Sequence, residues 1–329
     1  MVNIKQSLGL NNEKSFNILK NFSDIYIDSN EINKSYFTRI SSQKLYFPKQ
    51  ENEIIFIKEI LSLIQEKRKK NKNKDFGIKY KNFLLRVFVI PSVNGEIFAC
   101  RKMNTKVLEL NELGFPEKIK NILTLNKLSE GGLVLICGNV GSGKTTTASS
   151  MIAERLKKYG GLCLTAEDPP ESEINGFYSN GHCIQTEIIP ELGYAPRVRE
   201  LLRAYPVAKN NILFIGEMRD ADTAEQALRA SLDGRLVITT MHTKNLESAL
   251  SRIHSYASTS MGSKQSATIL SDSFRLALFQ ELTSIGVRAE YLLGTNIVRN
   301  LIKNNKYEQL STHIEQQKII DINSNIFDI

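Results

Sequence analysis

The first hundred residues alternate short apolar runs with one long amphipathic stretch. The runs IYI (25–27), FLLRVFVI (83–90) and GEIFACRKM (95–103) predict three strands. Between the first two, IIFIKEILSLIQEKRKK (54–70) has apolar side chains at helical spacing. It predicts a helix whose buried face carries Ile54, Ile57, Ile60, Leu61 and Ile64. We therefore predict a small α/β domain over residues 1–108, with no catalytic pattern of its own.

Beyond residue 108 the pattern changes to continuous apolar runs separated by helical periodicity. The segment ELNELGFPEKIKNILTL predicts a helix, and four strands are predicted at LVLICG (133–138), LCLTA (162–166), ILFIG (212–216) and LVITT (236–240). Apolar strands that alternate with helices are typical of a parallel sheet covered on both faces. We expect this second α/β domain to cover residues 109–329 and to end in a helical region.

Composition indicates a folded protein inside the cell. Hydrophobic residues make up 41% of the 329 residues and charged residues 24%, which is enough for a sizeable core. No apolar run approaches the ~18 residues that span a bilayer, and the polar start MVNIKQSLGLNNEK is unlike a secretory signal. We expect an intracellular, soluble protein with buried, reduced cysteines at Cys100, Cys137, Cys163 and Cys183.

The net charge of +8 is densest in EKRKKNKNK (66–74). Such a run could bind nucleic acid or an anionic membrane surface. Alternatively, it is a solvated helix end and turn, which requires no partner. Lys and Asn are abundant throughout the chain, and the run has little aromatic interleaving for base stacking. We therefore expect no nucleic-acid partner.

The strongest motif is GNVGSGKTTTA, which begins at Gly138 and matches G-x-x-x-x-G-K-[ST]. An apolar strand precedes it and a helical pattern follows it, which is the context that a phosphate-binding loop requires. Lys144 is expected to contact the β- and γ-phosphates, and the Thr145 hydroxyl to face Mg²⁺. The predicted nucleotide-binding residues are Gly138, Asn139, Val140, Gly141, Ser142, Gly143, Lys144, Thr145 and Thr146.

Carboxylates follow two of the later strands. Glu167 and Asp168 come directly after LCLTA, and Glu217 follows ILFIG. Ligands of open α/β sheets bind at these carboxyl ends, where a carboxylate can hold Mg²⁺ through water or polarise the attacking water. Glu217 is our first choice for polarising the water and Glu167 the second, and Asp168 is the candidate for Mg²⁺ through water.

Two further polar residues fall beside the same site. His242 lies in the run TTMHT at the end of the last predicted strand and is expected to act as a γ-phosphate sensor or a polar relay. Arg219 follows Glu217 closely, so it could pair with a local carboxylate or contact a phosphate.

In combination these motifs resemble the bacterial secretion ATPases, and among them the PilT-type pilus retraction motors. The matching segments are SDIYI (23–27), the phosphate loop, TAEDPPE (165–171), IGEMRD (215–220) and TTMHT (239–243). Near the C-terminus, NIVRNLIKNNK (296–306) resembles the Ala-Ile-Arg-Asn-Leu-Ile-Arg signature of the retraction motors.

The resemblance implies a PAS-like N-terminal domain, a RecA-like ATPase domain and a hexameric ring that uses ATP and Mg²⁺. It implies that Arg86 and Arg101 reach the phosphates from the N-terminal domain. The implied location is the cytoplasmic face of the inner membrane, where a pilus platform protein, together with a pilus assembly ATPase, would be the partners. The implied function is pilus retraction.

Three other functions remain open at this stage. A motor for type II or type IV secretion or conjugation would use the same site on a different cargo. A DNA translocase would require salt-sensitive, DNA-stimulated hydrolysis. A nucleotide-gated scaffold would bind ATP without turning it over.

The chain departs from the family pattern at two places. It has Asp233-Gly234-Arg235 where the family has Thr-Gly-His, and a guanidinium cannot titrate near neutrality as histidine does. It also has Lys209-Asn210-Asn211 where the family has Asp-Pro-Asp. Because the phosphate loop and the candidate carboxylates are intact, we expect hydrolysis to persist.

Overall fold

A computed structural model describes residues 18–39, 42–70, 73–81, 83–103, 106–189, 192–207, 210–283 and 286–319. The chain divides into two compact units, and the division falls between Lys102 and Met103. The sequence pattern places this boundary a few residues later, after residue 108. Within the described ranges, no helix is long and apolar enough to cross a membrane.

The N-terminal unit is an antiparallel sheet with one long helix. Its strand order is β3-β2-β1-β6-β5-β4, and every neighbouring pair is antiparallel. The elements are α1 (Ile18–Asn21), β1 (Asp24–Asp28), a 3₁₀ turn (Ile32–Lys34), β2 (Tyr36–Arg39), β3 (Ser42–Tyr46), α2 (Glu51–Lys70), β4 (Asp75–Tyr80), β5 (Phe83–Ser92) and β6 (Gly95–Lys102).

Helix α2 buries most of the apolar stripe that the sequence predicts, whereas Ile54 at its start is only partly buried. Ile57, Ile60 and Ile64 are fully buried in the same core as the strand residues. Each such side chain contributes roughly 1.5–3 kcal/mol to stability. The helix begins three residues before the predicted start because the Glu53 carboxylate caps it, accepting the backbone N–H of Gln50 at 3.0 Å.

Strands β2, β3 and β4 are missing from the sequence prediction, which has three strands in this unit instead of six. Strands β2 and β3 are short, and β3 is a largely polar strand at the sheet edge. Strand β4 contains Gly77, which weakens the pattern of a strand. Their pairing with neighbours compensates for weak local preference.

The second unit contains an eight-stranded sheet in the order β14-β13-β7-β12-β11-β8-β10-β9. Strands β13 to β10 in this order are parallel, and the outer strands β14 and β9 are antiparallel to their neighbours. The strands are β7 (Gly132–Cys137), β8 (Gly161–Ala166), β9 (Gly176–Tyr178), β10 (Gly181–Ile184), β11 (Ile212–Ile215), β12 (Leu236–Met241), β13 (Phe274–Thr283) and β14 (Gly286–Leu293).

Helices of the second unit lie on both faces of this sheet, which separates two buried apolar clusters. A 3₁₀ turn at Leu110–Leu113 precedes the first helix, a second at Asn126–Glu130 precedes β7, and a third at Tyr307–Gln309 precedes the last helix. The helices are α3 (Glu117–Leu123), α4 (Lys144–Tyr159), α5 (Tyr194–Leu202), α6 (Ala221–Leu232), α7 (Leu246–Met261), α8 (Ser263–Ser273), α9 (Asn296–Lys303) and α10 (Leu310–Ile319).

The four predicted strands are all present, but two hairpins are not predicted. Strands β9 and β10 are only three and four residues long and contain glycine, so their local signal is weak. Strands β13 and β14 come after the last strand that the sequence predicts, and the C-terminal helices α9 and α10 follow them. As a consequence, the sheet is mixed rather than wholly parallel.

All four cysteines are buried and unpaired, as predicted. Cys163 on β8 and Cys183 on β10 are directly opposite each other in the parallel register. Burial raises the pKa of Cys137 to about 12, so the thiol stays protonated near neutral pH.

Candidate nucleotide-binding site

A cavity of about 350 Å³ opens at the carboxyl ends of β7, β8, β11 and β12. The phosphate loop forms one wall, and the segments that follow β8, β11 and β12 form the rest. The predicted residues that line the cavity are Val140, Gly141, Gly143, Lys144, Thr145, Thr146, Glu167, Asp168, Glu217 and His242. Gly138, Asn139 and Ser142 belong to the same loop but do not line this cavity.

The phosphate loop needs glycine at two positions for different reasons. At Gly138 a Cβ would overlap the carbonyl oxygen of Gln280, so only glycine lets the loop lie against β13. Gly143 has φ of 83° and caps the N-terminus of α4, a conformation that L-residues rarely adopt. The N-terminus of α4 therefore opens into the cavity, where its free N–H groups favour an anion.

Lys144 is buried within the site. Its Nζ donates a hydrogen bond to the carbonyl oxygen of Asn139 at 2.8 Å and lies 3.0 Å from His242 Nδ1. Burial lowers the pKa of Lys144, and the nearby Glu217 opposes this change. The lysine is therefore held at the loop by groups that a phosphate could replace.

Glu167 is 2% exposed at the floor of the cavity. Burial raises the pKa of its carboxyl to about 7, although hydrogen bonds from Gln185 and Thr165 favour the ionised form. Gln185 Nε2 donates to Glu167 Oε1 at 2.9 Å. A carboxyl group in this environment can accept a proton near neutral pH.

Glu217 and its neighbours form a series of polar contacts in the cavity wall. Arg219 Nε donates to Glu217 Oε2 at 2.8 Å, and Arg219 Nη1 lies 3.5 Å from Asp168 Oδ2. His242 Nε2 lies 3.7 Å from Glu217 Oε1. Of the two uses of Arg219 that the sequence leaves open, the structure shows pairing with local carboxylates.

Arg86 and Arg101 lie on the N-terminal unit, directly opposite each other across β5 and β6. Each is paired with an aspartate: Arg86 Nη2 donates to Asp75 Oδ2 at 2.7 Å, and Arg101 Nε donates to Asp24 Oδ1 at 2.9 Å. The aspartates offset the repulsion between two adjacent guanidinium groups. The expected contact of these arginines with phosphate stays a prediction.

Arg235 lies at the other end of β12 from His242, one residue before the strand begins. At about 3.3 Å per residue, the two positions are about 23 Å apart along the strand. The Arg235 guanidinium stacks 5.3 Å from the centre of the Tyr205 ring and lies 3.5 Å from the Leu202 carbonyl oxygen. Arg235, which stands where the family has histidine, therefore packs at the far end of β12 and does not line the cavity.

The second departure from the family pattern also lies away from the cavity. Asn210 Nδ2 donates to the carbonyl oxygen of Tyr159 at 2.8 Å, and Asn211 Nδ2 donates to that of Pro206 at 3.2 Å. These bonds anchor the chain before β11. Lys209 lies outside the described residues.

Two glutamines beside the site are absent from the sequence prediction. Gln185 follows β10 and contacts Glu167. Gln280 on β13 is buried beneath the phosphate loop, where its Nε2 donates to the carbonyl oxygen of Ser142 at 2.5 Å. Both lie on or directly after strands that the sequence does not predict, and a correct strand prediction would have drawn attention to them.

A second cavity, of about 270 Å³, adjoins the first and shares Thr145, Thr146 and Glu171 with it. Its remaining wall includes the apolar side chains of Met103, Val107 and Leu108. The pair of cavities therefore offers a polar end at the phosphate loop and a partly apolar end beside it.

A family described as "Type II/IV secretion system protein" matches residues 52–319 of this sequence. The chain belongs to this family. Among its relatives, a type IV pilus assembly ATPase, TfpB, of Acinetobacter baylyi is 36% identical over 173 residues. A putative type II secretion system protein E of Escherichia coli is 33% identical over 179 residues. These alignments cover 52% and 53% of this chain but only 28% and 34% of the relatives, so the chain spans about a third of their length.

A crystal structure of the pilus retraction motor PilT with bound ADP is similar over most of the chain. The TM-score is 0.71 at 26% identity, and the match covers 90% of this chain and 84% of PilT. The predicted fold class is confirmed: a RecA-like P-loop domain preceded by a small α/β domain. Both comparisons support the assignment of this family member as an ATPase. The names of its relatives include pilus assembly and secretion proteins as well as PilT, so these similarities establish the family without separating retraction from assembly or secretion.

Proposed function

We propose that the chain hydrolyses ATP as a ring-forming motor of a type IV pilus or related secretion machine. The observation that carries this proposal is the meeting of the phosphate loop, Glu167, Glu217 and His242 at one cavity. Each comes from a different strand end, and open α/β sheets bind their ligands at this edge.

The two adjoining cavities suggest how ATP would lie. The triphosphate would follow the loop, where the N-terminus of α4 and the Lys144 ammonium offset its charge. The nucleoside would occupy the smaller cavity beside Val107 and Leu108. Lys144 would exchange its contacts with Asn139 and His242 for phosphate oxygens.

The donor atoms present also suit Mg²⁺, which prefers oxygen ligands. Thr145 and Asp168 both line the cavity, so the Thr145 hydroxyl would hold the metal directly and the Asp168 carboxylate through water. When bound, Mg²⁺ would neutralise part of the phosphate charge.

Glu217 is our choice for the residue that polarises the attacking water. Arg219 orients its Oε2, which leaves Oε1 on the side of His242. Glu167 is the second choice, because its buried carboxyl lines the same cavity. Arg86 and Arg101 would offset charge that develops on the transferred phosphate, if released from Asp75 and Asp24.

For the biological role we propose pilus retraction by a homohexamer at the cytoplasmic face of the inner membrane. ATP turnover around the ring would drive a platform protein there, working against a pilus assembly ATPase. The similarity to PilT supports this role, as does the sequence NIVRNLIK, which forms the amphipathic helix α9. A motor for pilus assembly, secretion or conjugation is the second candidate, which the names of the relatives favour.

The enzymatic proposal is tested by ATP turnover of the purified chain with Mg²⁺. We expect Glu217→Gln to bind ATP and lose turnover, whereas Lys144→Ala loses binding as well. Glu315→Gln, which changes an exposed carboxylate on α10, is the matched control and should behave as wild type. Turnover by Glu217→Gln at the wild-type rate would show that another residue polarises the water.

Whole cells separate the biological roles. Deletion of the gene should leave more surface pili that are not withdrawn if the chain drives retraction. Loss of pili or of secreted proteins would favour the second candidate instead.

Turnover by the purified chain tests the two remaining functions. If DNA stimulates turnover and this stimulation falls steeply as salt rises, the chain is a translocase. Absence of turnover with retained ATP binding would identify a scaffold.

A further inference from the structure

Gln185 joins the two ends of the acidic segment beside the cavity. Its side-chain amide donates one hydrogen bond to Glu167 Oε1 at 2.9 Å and another to the carbonyl oxygen of Ser172 at 2.8 Å. The backbone N–H of Gln185 is itself held by Asn175 Oδ1 at 3.0 Å. One amide therefore closes the segment 167–172 into a fixed loop.

The Glu167 carboxylate needs such a partner to hold one orientation. The last torsion of a glutamate side chain is broad and roughly two-fold, so packing alone fixes it poorly. The Glu167 backbone is already fixed, because its N–H donates to the Thr186 carbonyl oxygen at 3.1 Å and its own carbonyl accepts from Ile188 at 2.8 Å. With Oε1 bonded to Gln185, and with Thr165 as a second hydrogen-bond partner of the carboxylate, its orientation toward the cavity is also set.

The same loop is connected to the phosphate-binding helix. Ser172 Oγ lies 2.6 Å from Ser149 Oγ, and both side chains are buried. Ser149 belongs to α4, the helix that begins at Lys144. The contacts of Gln185 therefore fix Glu167 relative to the element that would hold the phosphates.

We propose that Gln185 is a positioning residue for ATP hydrolysis, which acts by orienting the Glu167 carboxylate relative to the phosphate loop. This inference rests on the proposed function, and in particular on a part for Glu167 in turnover. Glu217 is oriented separately by Arg219, so the two carboxylates have independent supports.

The test is a double-mutant cycle with Gln185→Leu and Glu167→Gln, measured by phosphate release. Leucine keeps most of the volume but cannot donate. We expect Gln185→Leu to lower kcat by about 10- to 100-fold, the range for a small misplacement of a catalytic group, with KM changed less than about 3-fold. In the Glu167→Gln background it should lower kcat no further, because its effect passes through that carboxylate.

Gln317→Leu is the matched control. The Gln317 amide also bridges backbone groups, accepting from Leu293 N–H at 2.7 Å and donating to its carbonyl oxygen at 3.2 Å, but it does not line the cavity. We expect this control to affect the melting temperature and leave kcat unchanged. Gln185→Glu is close in volume to the wild type, so it conserves the packing, but it places a second carboxylate beside Glu167. We expect it to lower kcat as Gln185→Leu does.

The possible outcomes distinguish an error in the role of Gln185 from an error in the proposed function. An unchanged kcat in Gln185→Leu, or an equal loss in both backgrounds, would overturn the positioning role. If Glu167→Gln alone turned over ATP at the wild-type rate, the part assigned to Glu167 would be wrong and the positioning role with it. Failure of the wild-type chain to hydrolyse ATP would instead reject the proposed function.

Discussion

Gln280 supports the phosphate loop from below, and its replacement by leucine tests whether this support matters for nucleotide binding. The buried Gln280 amide donates to the Ser142 carbonyl oxygen at 2.5 Å. A trans peptide unit is planar, with its C=O and N–H pointing in opposite directions. Because the Ser142 carbonyl points to Gln280, the N–H of Gly143 points away from β13, and Gly143 lines the cavity.

The expected magnitude follows from this single bond. Removal of the donor leaves a buried carbonyl without its partner, which costs about 1–3 kcal/mol. The empty loop can relax by turning the peptide toward water, but a bound phosphate requires the original orientation. The penalty therefore falls on the bound state and should raise the Kd for ATP about 5- to 150-fold.

Calorimetric titration with ATP and Mg²⁺ measures this change directly. Gln317→Leu again serves as the control, since it removes a comparable glutamine far along the chain from the loop. If Gln280→Leu had a wild-type Kd and only a lower melting temperature, the peptide would not be oriented by Gln280 and the reasoning would be refuted.

Three further predictions concern other parts of the second unit and the cysteines. Arg219→Gln should lower kcat about 10-fold because Glu217 loses its orienting partner, while the stability changes by less than about 1 kcal/mol at this half-exposed site. An unchanged kcat would contradict it. Arg155→Met should lower the free energy of unfolding in urea by about 1–3 kcal/mol, since Leu125 O and Ser129 Oγ each lose a 2.9 Å hydrogen bond from the buried guanidinium; a loss below about 1 kcal/mol would count against it. Ellman's reagent should find no fast-reacting thiol in the folded chain and all four after denaturation; a fast thiol in the folded chain would show an opening of the core.

Much of the site could be predicted because its residues follow strands with strong local patterns. Lys144, Glu167, Glu217 and His242 each come within two residues of a predicted strand end or the phosphate-loop motif, and parallel strands bring such ends to one edge. The strand order matters little for this prediction, because parallel strands of one sheet all present their carboxyl ends at the same edge. The predicted helix α2 likewise formed because its apolar spacing is regular over many turns.

The two glutamines could not be predicted, for a different reason. Gln280 and Ser142 are 138 residues apart, and they meet only because β13 pairs with β7. The β13 sequence FRLALFQELT mixes apolar and charged residues, so its local pattern does not identify it as a strand next to β7. Arg235 shows the reverse case: an aligned motif draws attention to it, yet the direction of β12 takes its side chain away from the cavity.

The pairing of β13 with β7 also affects the order in which the protein matures during synthesis. A ribosome-bound chain that has emerged through α8 already carries the complete phosphate loop and its carboxylates, but not the strand that brings Gln280 beneath that loop. Domains fold as they emerge, N-terminal parts first, and long-range pairings form last. A nascent chain should therefore bind ATP poorly until β13 has left the ribosome, so that nucleotide binding reports that β13 has paired with β7.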